Sequence, residues 1–113
     1  MGRKRVATAR WRRKATPDTE RIVELLKAAF PNHPANYPPA AYRYNSASIR
    51  VRVVDEAFRG KSRPKRDEMV SHLLEELPEE TYSDIMILLL LTPEEVDEDP
   101  MNLEFENPTP SRV

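Results

Sequence analysis

The run IMILLLL, Ile85–Leu91, limits what this 113-residue chain can fold into more than any other stretch. Seven apolar residues in succession show no alternation, so as a strand the segment has no side suited to water. A membrane-spanning helix needs ~20 such residues, and seven fall far short. The run therefore reads as a strand buried on both faces inside a globular protein. The length fits one domain with a small core.

The elements around the run follow from local signals. Thr16, Pro17, Asp18 and Glu20 open a helix, and Ile22, Val23, Leu25, Leu26, Ala29 and Phe30 give it one apolar stripe. Pro31 and Asn32 end it. PNHPANYPP, with four prolines in nine residues, is a loop. AAYRYN and SIRVRVVD read as two strands joined near Asn45–Ser48. In the second strand Ile49, Val51 and Val53 alternate with Arg50 and Arg52. Ser62 caps a second helix carrying Met69, Val70, Leu73, Leu74 and Leu77, and Pro64 fits only its first turn. PEETYSD is a connection with room for one helical turn. Thr92, Pro93 and Glu95 open a short helix after the apolar run. NLEFE, residues 102–106, alternates and is expected as an edge strand, with loose residues beyond it.

The order predicts an α+β fold. A hairpin followed by one strand–helix–strand crossover gives a three-stranded mixed sheet with helices mainly on one face. The other face is then expected to be open, basic and aromatic, displaying Tyr42, Tyr44, Arg50 and Arg52. The chain is expected to divide into a flexible basic arm (1–15), a folded domain (16–99) and an acidic, proline-containing tail (100–113).

Charge is segregated. The net charge is only −1, yet residues 1–15 hold seven basic side chains and no acidic one. Residues 68–113 hold thirteen acidic groups and only Arg112. The basic part invites an anionic partner, and the two halves also invite self-association. Candidate nucleic-acid contacts are Arg3, Lys4, Arg5, Arg10, Trp11, Arg12, Arg13 and Lys14 in the arm, with Trp11 as a stacking residue. Arg50 and Arg52 on the second strand are further candidates. So are Arg59, Lys61, Arg63, Lys65 and Arg66 around a helix N-terminus, where backbone N–H groups favour phosphate.

Catalysis finds little support. There is no cysteine, so thiolate chemistry and disulfides are excluded, as is a thiolate metal site. GKS at 60–62 lacks the first glycine of a phosphate loop. His33 in the proline loop has no second ligand nearby. Glu75, Glu76, Glu79 and Glu80 read as a solvated face, and DEDP at 97–100 lacks cation-loop spacing. No catalytic residue, metal or cofactor is expected, and no small-molecule substrate. The basic N-terminus has no apolar stretch after it, so a cytoplasmic protein without membrane contact is expected.

IRVRVVDEAFRGKSRPKRDEMVSHLLEEL followed by IMILLLLTPEE resembles the BolA-like family over about residues 49–95. The resemblance rests on Phe58, Gly60, Ser62, Arg63, Arg66 and Val70 in linked spacing, then Leu74, Leu77 and the closing TPEE. It implies a compact αββαβ domain similar to one class of KH domains. It also implies transcriptional or stress regulation, and partnership with monothiol glutaredoxins through a shared iron–sulfur cluster. The family's cluster histidine precedes the last strand, where this chain has Asp84. The loop between the first two strands holds neither cysteine nor histidine, Asp67 stands where a histidine often follows the helix-start arginine, and His72 matches no ligand position. Carboxylates suit a soft iron–sulfur centre poorly, so cluster binding is not expected. The Gly-x-x-Gly clamp of KH domains is also missing, because Arg63 stands three residues after Gly60. The expected function is a non-enzymatic BolA-like regulatory or protein-interaction domain, with a protein partner or second copy, touching nucleic acid through the basic arm and helix start. A dedicated, largely electrostatic nucleic-acid-binding protein is the alternative.

Overall fold

The computed structural model describes residues 15–111. Helix α1 (Pro17–Ala29) starts where the sequence places it. The Thr16 hydroxyl accepts from the Thr19 backbone N–H, the Thr19 hydroxyl accepts from the Thr16 N–H, and Pro17 takes the first helical position. Strands β1 (Ala40–Asn45) and β2 (Ser48–Val54) form the hairpin, and β3 (Ile85–Leu91) lies parallel to β2. The sheet is mixed, in the order β1-β2-β3.

Between β2 and β3 come a 3₁₀ turn (Glu56–Phe58), helix α2 (Arg63–Leu74) and the one-and-a-half-turn helix α3 (Glu79–Asp84). Gly60 has φ +73°, a left-handed conformation that lets the chain reverse between the 3₁₀ turn and α2. The Ser62 hydroxyl caps α2. The capping box of Thr92 and Glu95 is present, but it opens a single 3₁₀ turn (Pro93–Glu95).

The first core lies between the sheet and α1 with α2. Ile22, Leu26, Ile49, Val51, Val53, Phe58 and Val70 are fully buried there, and the rings of Phe30 and Phe58 pack 5.2 Å apart. Alternation along β2 puts Ile49, Val51 and Val53 on this side.

The opposite face differs from the sequence expectation. NLEFE is not an edge strand; it belongs to a fourth helix, α4 (Pro100–Glu106), which lies on the sheet. The Asp99 side chain accepts from the Met101 N–H and Pro100 occupies the first helical position. Alternation of Leu103 and Phe105 with carboxylates imitates a strand. Asn102, Phe105 and Glu106 meet the sheet, spaced i, i+3, i+4 as on one helix face, and Glu104 reaches Arg50 from beside them. Two of these three are polar, so an apolar stripe was not there to be read. The tail beyond α4 touches β1 through residue 111: Pro108 is buried, the Tyr44 hydroxyl donates to the Thr109 carbonyl, and Asn45 Nδ2 donates to Ser111 Oγ at 3.0 Å.

Candidate functional site

Of the candidate contacts, those in 1–14 lie outside the described residues, so Arg3, Lys4, Arg5, Arg10, Trp11, Arg12, Arg13 and Lys14 have no described position. The structure divides the others into two groups. Arg50 and Arg52, expected in the open, are 8% and 2% exposed beneath α4. Arg50 Nη1 donates to Glu104 at 2.9 Å, and its guanidinium lies 3.6 Å above the Tyr44 ring. Arg52 Nη1 donates to Asn102 at 2.9 Å and to Glu106. A nucleic acid cannot reach either guanidinium while α4 is in place. Cation–aromatic stacking of these arginines forms the floor of a helix–sheet interface.

The helix-start cluster is brought together and is largely neutralised. Arg66 is buried: it donates to the Leu90 carbonyl at 3.0 Å and to both oxygens of Glu95, at 2.6 and 3.1 Å. Those bonds from Arg66 outweigh desolvation and hold the Glu95 carboxyl down at about 2. Arg59 pairs with Glu56 and Glu94, Arg63 with Asp99, and Lys65 with Glu68. Among the described residues only Lys61 of the cluster faces no carboxylate at ion-pair distance. The cleft beside them, about 310 Å³, is lined by Lys61, Arg63 and Arg66 on one side and Glu95, Glu98 and Asp99 on the other.

Asp84, at the position the resemblance assigns to a cluster histidine, is half-buried in an ion pair. Arg43 Nη2 bridges it at 2.9 Å to Asp18 at 2.6 Å. Burial opposes ionisation of Asp18, but bonds from Thr16 and Arg43 outweigh it and hold that carboxyl below its ordinary value. Among the described residues no three His, Asp or Glu side chains are placed to hold a metal. An open groove of about 720 Å³ between the start of α1 and the α2–α3 turn is lined by Pro17, Asp18, Glu20, Arg21, Glu24, Glu76, Leu77, Pro78 and Thr81.

Among the solved structures, the chain is similar to BolA1 from Arabidopsis thaliana: 21% identity over 72% of this chain and 98% of that one, with a TM-score of 0.53. The fold is BolA-like. No protein-family model and no curated protein matches the sequence. The BolA-like fold is thus recognised by its arrangement of elements rather than by overall sequence.

One surface was missed by the sequence reading. Among the described residues β3 is an edge of this BolA-like sheet, paired only with β2. Its C-terminal half is closed, since Arg66 covers the Leu90 carbonyl and Leu89, Leu90 and Leu91 are buried. Its N-terminal half is open, and Met86 is 66% exposed beside a register irregularity. The signal was the position of the methionine in an otherwise aliphatic run, which periodicity alone does not interpret. Among the described residues no helix is long and apolar enough to cross a membrane.

Proposed function

We propose that this chain is a non-enzymatic, regulatory interaction domain that binds a protein through the open half of β3. The carrying observation is the exposed apolar edge at Met86. An uncovered strand edge presents unpaired backbone groups together with apolar side chains, and it is a template for strand addition. The BolA-like fold supports a regulatory or interaction role. The neutralised helix start and the occupied sheet face weigh against the folded body as a phosphate grip. Of eighteen basic residues seven lie in 1–14 and one is Arg112, which leaves ten against nineteen acidic residues in 15–111. A body with that excess of negative charge repels a nucleic-acid backbone.

The test is light scattering at rising concentration, with pull-down from a lysate, on the natural chain and on Met86→Lys. A charge at the edge should abolish strand addition while leaving the fold intact. The reading fails if the two proteins stay equally monomeric and capture the same partners.

The seven cations in residues 1–14 support a second reading, electrostatic contact with nucleic acid through that segment. Binding to random DNA should then fall steeply with salt and disappear on deletion of residues 1–15. Replacing Lys61 and Lys65 should leave it unchanged.

A further inference from the structure

The second face of the sheet has the chemistry of a receptor, and α4 is seated in it. Tyr42 packs its ring 4.9 Å from that of Phe105 and donates its hydroxyl to the Phe105 carbonyl at 2.8 Å. Arg50 meets Glu104, and Arg52 meets Glu106 while its guanidinium lies 4.7 Å above the Phe105 ring. Two arginines and a tyrosine thus read an aromatic residue flanked by carboxylates on a single helical turn.

The resident helix is held by one ring and a set of polar contacts rather than by an apolar face of its own. It has seven residues, and an isolated helix that short is not stable in water. Of its apolar side chains only Phe105 is buried; Met101 is exposed, and Leu103 is 70% exposed. The last apolar anchor before it is Val96, and the link that follows begins with the exposed pair Asp97 and Glu98. Segments with few buried contacts open at the lowest free energy.

We propose that the sheet face under α4 is a binding site for an acidic, aromatic helical segment of a partner protein, and that α4 is its intramolecular occupant. The proposal rests on the reading of the chain as an interaction domain and adds a site separate from the β3 edge. The partner is defined by the chemistry that α4 displays: a phenylalanine or similar ring with a carboxylate on each side. The tether gives α4 a high effective concentration, so a competitor must bind this face better than α4 does to replace it. Replacement frees α4, which makes the contact a switch as well as a site.

The probe is a fluorescent peptide of residues 98–111, titrated by anisotropy into three full-length proteins: the natural chain, Phe105→Ala, and the isosteric double variant Glu104→Gln/Glu106→Gln. Weakening the resident should raise peptide affinity at least tenfold over the natural chain in both variants. A peptide carrying alanine for phenylalanine should bind none of them. Amide shifts in the double variant should fall on Tyr42, Arg50 and Arg52. No gain in a double variant that stays folded by circular dichroism overturns the proposal, as does equal binding of the alanine peptide or a footprint elsewhere. A failed exchange with association still sensitive to Met86→Lys would remove this site and leave the interaction reading in place.

Discussion

The two faces of the sheet are built by different physics. The face toward α1 and α2 is almost wholly apolar: Ile49, Val51 and Val53 meet Ile22, Leu26, Phe58 and Val70, all fully buried. Its stability comes from area removed from water, at ~25 cal/mol per Å². The face toward α4 buries Tyr42, Leu89, Leu91 and Phe105 too, but it places two arginines among them. Those charges must keep their partners, because an unpaired buried charge is expensive. Apolar contact is tolerant of small shifts, whereas paired charges impose one geometry. The first face sets stability; the second sets what is allowed to lie on it.

The largest expected contrast comes from one phenylalanine on each side. Phe58→Ala empties a site that is fully enclosed against Phe30 and the sheet, and about 3–5 kcal/mol of global stability should be lost. Phe105→Ala should cost less, about 1–2 kcal/mol in chemical denaturation, because α4 can leave the sheet before the rest unfolds. Hydrogen exchange separates the cases: Phe58→Ala should lower protection throughout the domain, and Phe105→Ala only around 100–111. Equal global losses would show that α4 is part of one cooperative core, and the distinction between the faces would then fail.

Acid should act on the charged parts and spare the apolar face. Burial works against the Glu104 carboxylate, but bonds from Arg50 and Thr109 outweigh it and hold its titration below the ordinary value. Glu95 lies further down, at about 2, mainly through Arg66. A carboxyl whose folded value is depressed adds stability above its unfolded value and loses it as pH falls toward the folded value. Each contribution is therefore complete above about pH 4.5 and declines below it. For Glu95 the displacement corresponds to ~3 kcal/mol, and screening of a side chain 38% exposed reduces that to about 1–2 kcal/mol. Hydrogen exchange between pH 5 and 3 should show protection lost first at 100–111, around 92–95 and at the starts of α1 and α2, where Asp18 and the partner of Arg66 titrate, with the apolar middle of both helices unchanged. Glu95→Gln should flatten the decline at 92–95.

The apolar face was legible in the sequence because periodicity encodes it. The stripe of α1, the alternation of Ile49, Val51 and Val53, and the caps at Thr16 and Ser62 each have one local explanation. The cover on the other face was not legible, for a physical reason. Asn102, Phe105 and Glu106 bind through one ring and two polar groups, so their helical face carries no hydrophobic period, while Leu103 and Phe105 alternate with carboxylates as strand residues do. A clue was still present. A strand with the apolar continuity of IMILLLL needs cover on both sides, and an open second face contradicts it. Of the candidate contacts, the positions of Arg59, Lys61, Arg63, Lys65 and Arg66 around one helix start followed from spacing. Their carboxylate partners Glu94, Glu95 and Asp99 come from a distant part of the chain that only the fold brings near.

The smallest expected effect tests whether charge pairs on the surface behave like those under α4. Lys65 and Glu68 are i, i+3 neighbours at 3.2 Å on the outer side of α2, both exposed by more than half. Water already solvates both groups, and holding two long side chains together costs entropy, so the pair should contribute about 0.5 kcal/mol or less. Lys65→Ala should leave the thermal midpoint nearly unchanged in low salt and unchanged in high salt. Arg50→Ala removes a cation that is 8% exposed and packed against Tyr44, and it leaves Glu104 facing the sheet without its partner. Its cost should be about 1–2 kcal/mol, bounded as for Phe105 by release of α4, and only weakly dependent on salt, since a covered pair is screened little. If the two substitutions cost the same, the arginines beneath α4 are not fixed by burial, and the sheet face would have to be treated as another solvated surface.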